Sequence, residues 1–262
     1  MRIVCWVVLS SGLAACAANP MTRTTVARLS VGTECVPESA QTALIFIHGW
    51  NGDALNTWRT FPRLACEDRR FHGSVAVLLY SYPTYFLKKN PSIVEIASNL
   101  NQEIETGGWW HRYHKVVIVA HSMGGIIARE LVILRALEGD STQVPGLVEI
   151  AVPHDGANPA DLASALGIRG AHLDELAQSS QTLVALRTQW SEYRSRPTTY
   201  CFGSPQDKVV PEGSAFGQCD HIRPYLAGGH TEIVKPFSRD SDYYAFPMKA
   251  AADALGIPVP QE

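Results

Sequence analysis

Short apolar runs alternate along this chain with longer segments in which apolar residues recur every three or four positions. A continuously apolar short run is typical of a strand that is covered on both faces of a parallel sheet. The predicted strands are Ala43–His48, Val75–Ser81, Val116–Ala120, Leu147–Val152, Thr198–Gly203 and His221–Leu226. The predicted helices are Thr57–Arg69, Ser92–Glu105, Met123–Glu138, Leu173–Trp190 and Tyr243–Ala254. This alternation predicts an α/β fold with a mostly parallel central sheet and helices on both faces.

The organisation indicates a single globular domain over residues 41–262, because the chain contains no internal repeat and no linker that would divide it. Residues 153–172, which are rich in Ala, Gly and Asp, lie between a predicted strand and a predicted helix. Either a cap over a functional site or a plain surface loop fits this stretch. The formal net charge is −3 and no run of Lys or Arg occurs, so nucleic acid is excluded as an expected partner.

The N-terminal residues 1–15 have the pattern of an export signal. A single basic residue, Arg2, precedes an apolar stretch that is too short to span a membrane and ends in small residues immediately before Cys16. An ordinary signal peptide would make Cys16 incidental. The run Leu-Ala-Ala-Cys, however, resembles the lipobox of bacterial lipoproteins.

That resemblance implies cleavage before Cys16, lipidation of its thiol, and attachment of the exported protein to a membrane of the bacterial cell envelope. Residues 16–40 would then form a polar tether that leads into the first strand. Ala17 follows Cys16, where an Asp often signals retention in the inner membrane, so the outer membrane is preferred.

Four cysteines remain after the predicted signal and anchor, namely Cys35, Cys66, Cys201 and Cys219. An even number of cysteines in an exported chain suggests disulfides, and three pairings are possible. The most local pairing, Cys35 with Cys66 and Cys201 with Cys219, would brace the two loop regions that flank the candidate site. Free buried thiols are the alternative.

The strongest chemical signal is the run Val117–Gly125, in which an apolar strand leads directly into a helix through Ser122. This pattern is typical of a nucleophile elbow, a tight turn that exposes a serine hydroxyl at the end of a strand. Residues two positions before and after the serine must be small to avoid the neighbouring strand and helix. Ala120 and Gly124 satisfy this requirement, although Ala120 stands where glycine is usual.

An earlier apolar strand ends in His48-Gly49 and a glycine-bearing loop. Attack on a carbonyl carbon develops negative charge on its oxygen, and two preorganised backbone N–H groups can stabilise that charge. We assign this oxyanion hole to the N–H groups of Met123 and Trp50. The side chain of Trp50 would then supply an apolar wall of the substrate pocket.

A serine nucleophile needs a base, and the base needs an acid that fixes its tautomer. Asp207 follows the predicted strand Thr198–Gly203 and is the candidate acid, with a simple turn-forming role as the alternative. His230 follows the predicted strand His221–Leu226 and is the candidate base. The competing His221 precedes that strand and would lie on the wrong side of the sheet.

Other histidines receive structural or pocket roles. We expect His48 to brace the oxyanion loop, His121 to fill space beside the nucleophile or line the substrate pocket, and His154 to shape that pocket or cap its loop. Metal ligation by His154 and Asp155 is unsupported, because no closely spaced third ligand in the sequence completes a site. No metal or organic cofactor is expected.

Taken together, the motifs resemble the lipase-like α/β hydrolases, particularly the branch of SERAC-type and GPI inositol-deacylase-type serine esterases. The motifs are IHGWNGD at 47–53, NTW at 56–58, AHSMGG at 120–125, VPHDGA at 152–157, DKVVP at 207–211 and HTEIVKP at 230–236. The resemblance implies an α/β-hydrolase fold and ester hydrolysis, often on lipids. Ala120 and Trp50 depart from the usual pattern and leave the acyl chain undefined.

The expected function is therefore that of a serine carboxylic-ester hydrolase that acts on lipid-like or other apolar esters through an acyl-enzyme. The same groups could instead cleave thioesters or amides, or transfer the acyl group to an alcohol. A lipoprotein that kept the fold without catalysis is a further alternative. The expected partners are an ester substrate and a membrane, and the oligomeric state stays open.

Overall fold

The computed structural model describes residues 30–84, 91–139, 143–166, 174–177 and 179–258. The strands are β1 (Ser30–Cys35), β2 (Thr42–Ile47), β3 (Val75–Ser81), β4 (Lys115–His121), β5 (Gly146–Ile150), β6 (Thr198–Phe202) and β7 (His221–Ile222). The helices are α1 (Phe61–Glu67), α2 (Ile93–Thr106), α3 (Trp109–Arg112), α4 (Met123–Leu137), α5 (Pro159–Leu166), α6 (Gln181–Glu192), α7 (Glu212–Ala215) and α8 (Asp242–Leu255).

The strands form one sheet in the order β1-β3-β2-β4-β5-β6-β7. Every neighbouring pair is parallel except β1 and β3, which are antiparallel. The carboxyl ends of the parallel strands therefore meet at one edge, where the loops after β2, β4 and β6 converge. This sheet confirms the α/β-hydrolase fold that the sequence predicts.

Helices cover both faces of the sheet, because successive strand residues point to opposite sides. In β2, Ile45 and Ile47 pack into the core shared with α2, α4 and α6. Leu44 and Phe46 pack into a second core, shared with α1 and α8. Among the described helices, none has the length and apolar character needed to cross a bilayer.

Strand β1 corrects part of the predicted tether 16–40, since Ser30–Cys35 pairs with β3 at the edge of the sheet. Its sequence, SVGTEC, is too polar to stand out as a strand. The strand forms because its backbone pairs with β3, and backbone hydrogen bonds leave no trace in the pattern of hydrophobic residues. The predicted signal at 1–15 and Cys16 lie outside the described residues.

Three predicted elements differ from the observed ones by more than two residues at one end, for identifiable reasons. Helix α1 begins at Phe61 and not at Thr57. Pro62 then lies in the first turn of the helix, a position that tolerates proline. Helix α6 begins at Gln181, where the Ser180 side chain accepts a hydrogen bond from the Leu183 N–H. Strand β7 ends at Ile222, because Pro224 has no N–H to continue the ladder.

Both disulfides of the local pairing are present. Cys35 bonds to Cys66 and links β1 to α1, with the two Cα atoms 6.1 Å apart. Cys201 bonds to Cys219 and links β6 to the segment that precedes β7, with the Cα atoms 6.2 Å apart. Each disulfide therefore fixes a strand at or near one end of the sheet to a segment on its flank.

Replacing Cys201 and Cys219 together by alanine is expected to lower the free energy of unfolding by about 3 kcal/mol, because the unfolded chain regains the entropy that the cross-link removed. The same substitution at Cys35 and Cys66 should have an effect of similar size. Urea unfolding of the oxidised proteins measures both effects. A variant that lacks all four cysteines is the control, because a reductant should not change its stability. An unchanged unfolding midpoint in either pair variant would contradict the prediction.

Candidate active site

Ser122 lies at the sharp turn between β4 and α4, at the carboxyl edge of the sheet. Its backbone has φ 54° and ψ −130°, a conformation that non-glycine residues rarely adopt. The turn is held by the Ser122 N–H, which donates to the Ile150 carbonyl at 3.0 Å, and by the Gly125 N–H, which donates to the Ser122 carbonyl at 2.9 Å. This is the geometry of the predicted nucleophile elbow.

The small residues around Ser122 are required by close packing. A Cβ atom on Gly124 would lie 2.4 Å from the Ile47 carbonyl oxygen and 2.5 Å from that of His48. Both contacts involve backbone atoms, which cannot move aside as a flexible side chain could. Ala120 is completely buried at the end of β4, so its single methyl group is accommodated within the core.

Asp207, His230 and Ser122 form a continuous hydrogen-bonded series. His230 Nδ1 lies 2.7 Å from Asp207 Oδ2, and His230 Nε2 lies 3.1 Å from Ser122 Oγ. Because a carboxylate only accepts, the proton belongs on Nδ1, which leaves Nε2 free to accept the serine hydroxyl proton. The structure thus brings together all three predicted triad residues.

The Asp207 carboxylate is fixed from its other side. Asp207 Oδ1 accepts hydrogen bonds from the Val209 N–H at 2.8 Å and the Val210 N–H at 3.1 Å. Its side chain is 1% exposed, so these bonds replace lost solvation. The competing histidine, His221, is exposed on β7 and stacks on Tyr200.

The loop after β2 passes directly against Ser122, as the predicted oxyanion hole requires. A Cβ atom on Gly49 would lie 2.7 Å from Ser122 Cβ and 3.3 Å from Ser122 Oγ. Met123 is the first residue of α4, where backbone N–H groups have no partner within the helix. The side chain of Trp50 is only 5% exposed and packs in the core, in contrast to the predicted pocket wall.

A buried His48–Tyr82 pair braces the oxyanion loop. His48 Nδ1 donates to the Gly49 carbonyl at 2.8 Å, and His48 Nε2 accepts from the Tyr82 N–H at 3.3 Å. The Tyr82 hydroxyl donates to the His48 carbonyl at 2.5 Å, and the two rings stack with centroids 4.2 Å apart. The bracing role of His48 follows the prediction, whereas Tyr82 was not identified from the sequence.

His121 supports His230 from below. Its Nε2 donates to the His230 carbonyl at 2.9 Å, and the two ring centroids are 4.7 Å apart. Burial, together with the nearby charge of His230, holds the pKa of His121 well below its ordinary value. A neutral His121 therefore positions the loop that carries His230. We expected its ring to fill space beside Ser122 or to line a substrate pocket; the ring is buried against His230.

His154 belongs to a buried polar cluster with Arg129 and Glu149. Arg129 makes two hydrogen bonds to Glu149, at 2.8 and 2.7 Å, and stacks on Trp190. His154 Nε2 lies 3.3 Å from the Arg129 guanidinium. Charged residues inside the apolar patterns of α4 and β5 were the sequence signal that could have located this ion pair.

The same cluster contains the one group of possible metal ligands among the described residues, formed by Glu149, His154 and Cys201. The Cys201 sulfur is bonded to Cys219, and a disulfide sulfur is not the thiolate that metals prefer. Glu149 is already paired with Arg129. The donors are therefore engaged within the fold, and the cluster fits a metal ion poorly.

The neutral state of His48 makes the stability of the fold depend on pH. Burial lowers the pKa of His48 from 6.5 to about 4. Between these values the unfolded chain binds a proton that the folded protein excludes, so the free energy of unfolding should fall as the pH decreases from 6.5 to 4, by on the order of 3 kcal/mol from this residue. Urea unfolding at several pH values measures this dependence.

The variant His48→Gln provides the control, because glutamine keeps a donor and an acceptor but does not titrate. We expect its unfolding free energy to vary less steeply than that of the wild type across the same pH range. His121 and His154 are present in both proteins. Parallel pH curves for the wild type and the variant would exclude His48 as a source of the acid sensitivity.

Comparison with known proteins finds the same framework. The chain is 24% identical over 260 residues to Protein SERAC1 of Danio rerio, in an alignment that covers 81% of this chain and 39% of that protein. The chain thus spans about two fifths of that relative's length. The fold is similar to that of Bacillus licheniformis lipase BlEst2 in its mature form, with a TM-score of 0.62, 15% identity, and coverage of 78% of this chain and 92% of that one.

The fold is also similar to that of phospholipase PlaB from Legionella pneumophila, with a TM-score of 0.56, 19% identity, and coverage of 66% of this chain and 45% of that one. At such identities the two solved structures establish the fold alone. The decisive match is to a family profile that aligns with residues 44–245 and so contains the whole series from the oxyanion loop to His230. The chain belongs to the alpha/beta hydrolase family.

Proposed function

We propose that this chain is a serine carboxylic-ester hydrolase in which Ser122, His230 and Asp207 act as nucleophile, base and acid. The observation that carries this proposal is the hydrogen-bonded series itself, with 3.1 Å from Ser122 Oγ to His230 Nε2 and 2.7 Å from His230 Nδ1 to Asp207 Oδ2. These distances allow direct proton transfer between serine and imidazole.

The reaction begins when Ser122 Oγ attacks the ester carbonyl carbon and its proton passes to His230 Nε2. The resulting imidazolium is stabilised by Asp207, and the carbonyl oxygen, now negative, is stabilised by the N–H groups of Met123 and Trp50. The bond to the alcohol oxygen then breaks, and His230 Nε2 gives its proton to that oxygen. An acyl group remains attached to Ser122.

In the second half of the reaction, water replaces the departed alcohol. His230 takes a proton from this water, whose oxygen attacks the acyl carbon, and the bond to Ser122 Oγ breaks as the proton returns to the serine. The products are a carboxylic acid and the free enzyme. The neutral His121 beneath His230 holds the base in place through both halves.

Lipid-like esters are the substrate class that we propose. The support is the similarity to proteins whose names describe a lipase and a phospholipase, together with the sequence resemblance to SERAC1. Hydrolysis of thioesters and amides uses the same steps. Matched esters, thioesters and amides of one acyl chain therefore define the preferred bond.

The assignment of the three groups predicts that Ser122→Ala and His230→Ala each lose several powers of ten in kcat on a short p-nitrophenyl ester, because each removes a group that acts in the transition state. A fluorophosphonate should label Ser122 in the wild type and leave Ser122→Ala unlabelled. Peptide mass spectrometry locates the adduct. His221→Ala is the matched histidine control and should retain activity.

Two outcomes would overturn the proposed activity. The first is near-normal turnover by folded His230→Ala, which would remove His230 from the base role. The second is the absence of both an adduct and ester turnover in folded wild-type protein, which would favour a binding lipoprotein that kept the fold. Circular dichroism of each variant separates loss of activity from loss of structure.

We also propose that the protein is exported and anchored to the bacterial cell envelope through a lipid on Cys16. The sequence around Cys16 motivates the proposal, and the two disulfides support it, because disulfides persist in oxidising compartments. The outer membrane is the preferred location.

Lipidation predicts that the wild-type protein, expressed in a bacterium, incorporates a fatty-acid label and partitions into detergent. Cys16→Ser should lose both the label and the partitioning, because the anchor attaches to the thiol. Cys5→Ser is the control and should keep both. Labelling of Cys16→Ser equal to that of the wild type would exclude the proposed anchor, and density-gradient separation of the two membranes would test the location.

A further inference from the structure

An open cavity of about 290 Å³ lies beside the catalytic histidine. One wall is formed by Gln206, Lys208 and Val209 of the loop that carries Asp207, and the other by residues 229–232 of the loop that carries His230. Both walls thus belong to loops that already hold triad residues. Any group bound in the cavity would lie next to the imidazole.

Under the proposed mechanism, this position corresponds to the alcohol half of the substrate. His230 gives its proton to the leaving oxygen, so that oxygen must lie within hydrogen-bond reach of the imidazole. A substituent that extends from the leaving oxygen past His230 would enter the cavity. In that arrangement the chemistry of the cavity would bear on which alcohol is preferred.

The cavity has a partly apolar lining that also carries hydrogen-bond donors, among them Lys208 and Gln206. Lys208 is exposed, and within the described part of the chain it makes no ion pair. Gln206 Oε1 accepts a hydrogen bond from the Gly228 N–H at 3.3 Å. This bond uses the amide oxygen and does not use the two N–H donors of the amide nitrogen. An ammonium and an amide nitrogen beside one cavity suit an anionic group.

Glu232 is the negative group in the same lining, and part of its charge is already engaged. Its Oε2 accepts from the Gly229 N–H at 2.9 Å, a bond that fixes the turn just before His230. The remaining charge opposes an anion and limits how tightly Lys208 binds one. Glutamine at this position would keep an acceptor for the Gly229 N–H and remove the opposing charge.

We infer that the cavity binds an anionic group on the alcohol half of the ester, and that Lys208 is the residue that selects for it. The preferred substrates are esters of an alcohol that carries a phosphate or a carboxylate. This inference rests on the proposed ester hydrolysis and adds specificity to it. Phosphate and carboxylate share the chemistry that Lys208 recognises and are distinguished by experiment.

The test compares butyrate esters that share one acyl group and differ in the alcohol, namely glycerol 3-phosphate, glycolate, glycerol and choline. We expect the two anionic esters to have a kcat/KM about fivefold above that of the glycerol ester, the scale of one partly exposed ion pair. The choline ester should be the poorest. The difference should lie mainly in KM, because Lys208 contacts a part of the substrate that does not react.

Variants assign the preference to Lys208. In Lys208→Gln, kcat/KM for the anionic esters should fall to that for the glycerol ester. In Lys208→Glu, the choline ester should have a higher kcat/KM than the anionic esters. Glu232→Gln should increase the ratio. Lys249→Gln is the matched control, since Lys249 lies on α8 and pairs with Asp253 at 3.5 Å, so the wild-type ratio should persist.

The possible failures are distinguishable. Hydrolysis of all four esters at similar kcat/KM, or a preference that Lys208→Gln retains, overturns the anion site and leaves the proposed activity standing. Absence of turnover on every ester, together with no fluorophosphonate adduct on Ser122, defeats the proposed activity itself. A preference that does not weaken at high ionic strength also contradicts the site, because an exposed ion pair is screened by salt.

Discussion

The site depends on a close backbone contact between the loop after β2 and the turn after β4. Glycine is required on both sides of this contact, since a Cβ on Gly124 would meet the Ile47 and His48 carbonyls and a Cβ on Gly49 would meet Ser122. The contact puts the Gly49 backbone next to the serine hydroxyl. Parallel pairing of β2 with β4, in which Ile47 is the register partner of Ala120, sets the position of both loops. The geometry of the site thus originates in the strand order of the sheet.

Two buried histidines, His48 and His121, adjoin this contact, and each has a lowered pKa because burial disfavours its charged form. His48 donates a hydrogen bond to the Gly49 carbonyl, and His121 donates one to the His230 carbonyl. Neutral imidazoles can act as specific donors there without placing a fixed charge beside His230. The two supporting histidines therefore set positions, and Asp207 is the charged group that bonds to the His230 ring.

The parts of the molecule that depend on local pattern could be predicted from the sequence. The parallel strands, the elbow at Ser122 and the order of Asp207 and His230 follow from apolar runs and the residues that end them. Tyr82 depends on contacts between segments far apart in the chain, for which the pattern holds no direct signal. The Arg129–Glu149 pair left only the signal of charged residues inside apolar segments, which does not say that the two residues pair. Strand β1 was missed because its identity comes from pairing with β3, and Trp50 was placed in a pocket because sequence does not tell which way a loop side chain turns.

The edge strand β1 also has a mechanical consequence. A pull applied to the chain ahead of Ser30 acts on hydrogen bonds that join β1 to β3 alone, and these can open one after another. The opening reaches Cys35, where the bond to Cys66 transfers the load to α1. Part of the force then enters the helical layer through this covalent bond, and the rest follows the backbone from Cys35 into β2. The carboxyl edge of the sheet, where Ser122 lies, is in this way partly protected from tension on the N-terminal segment.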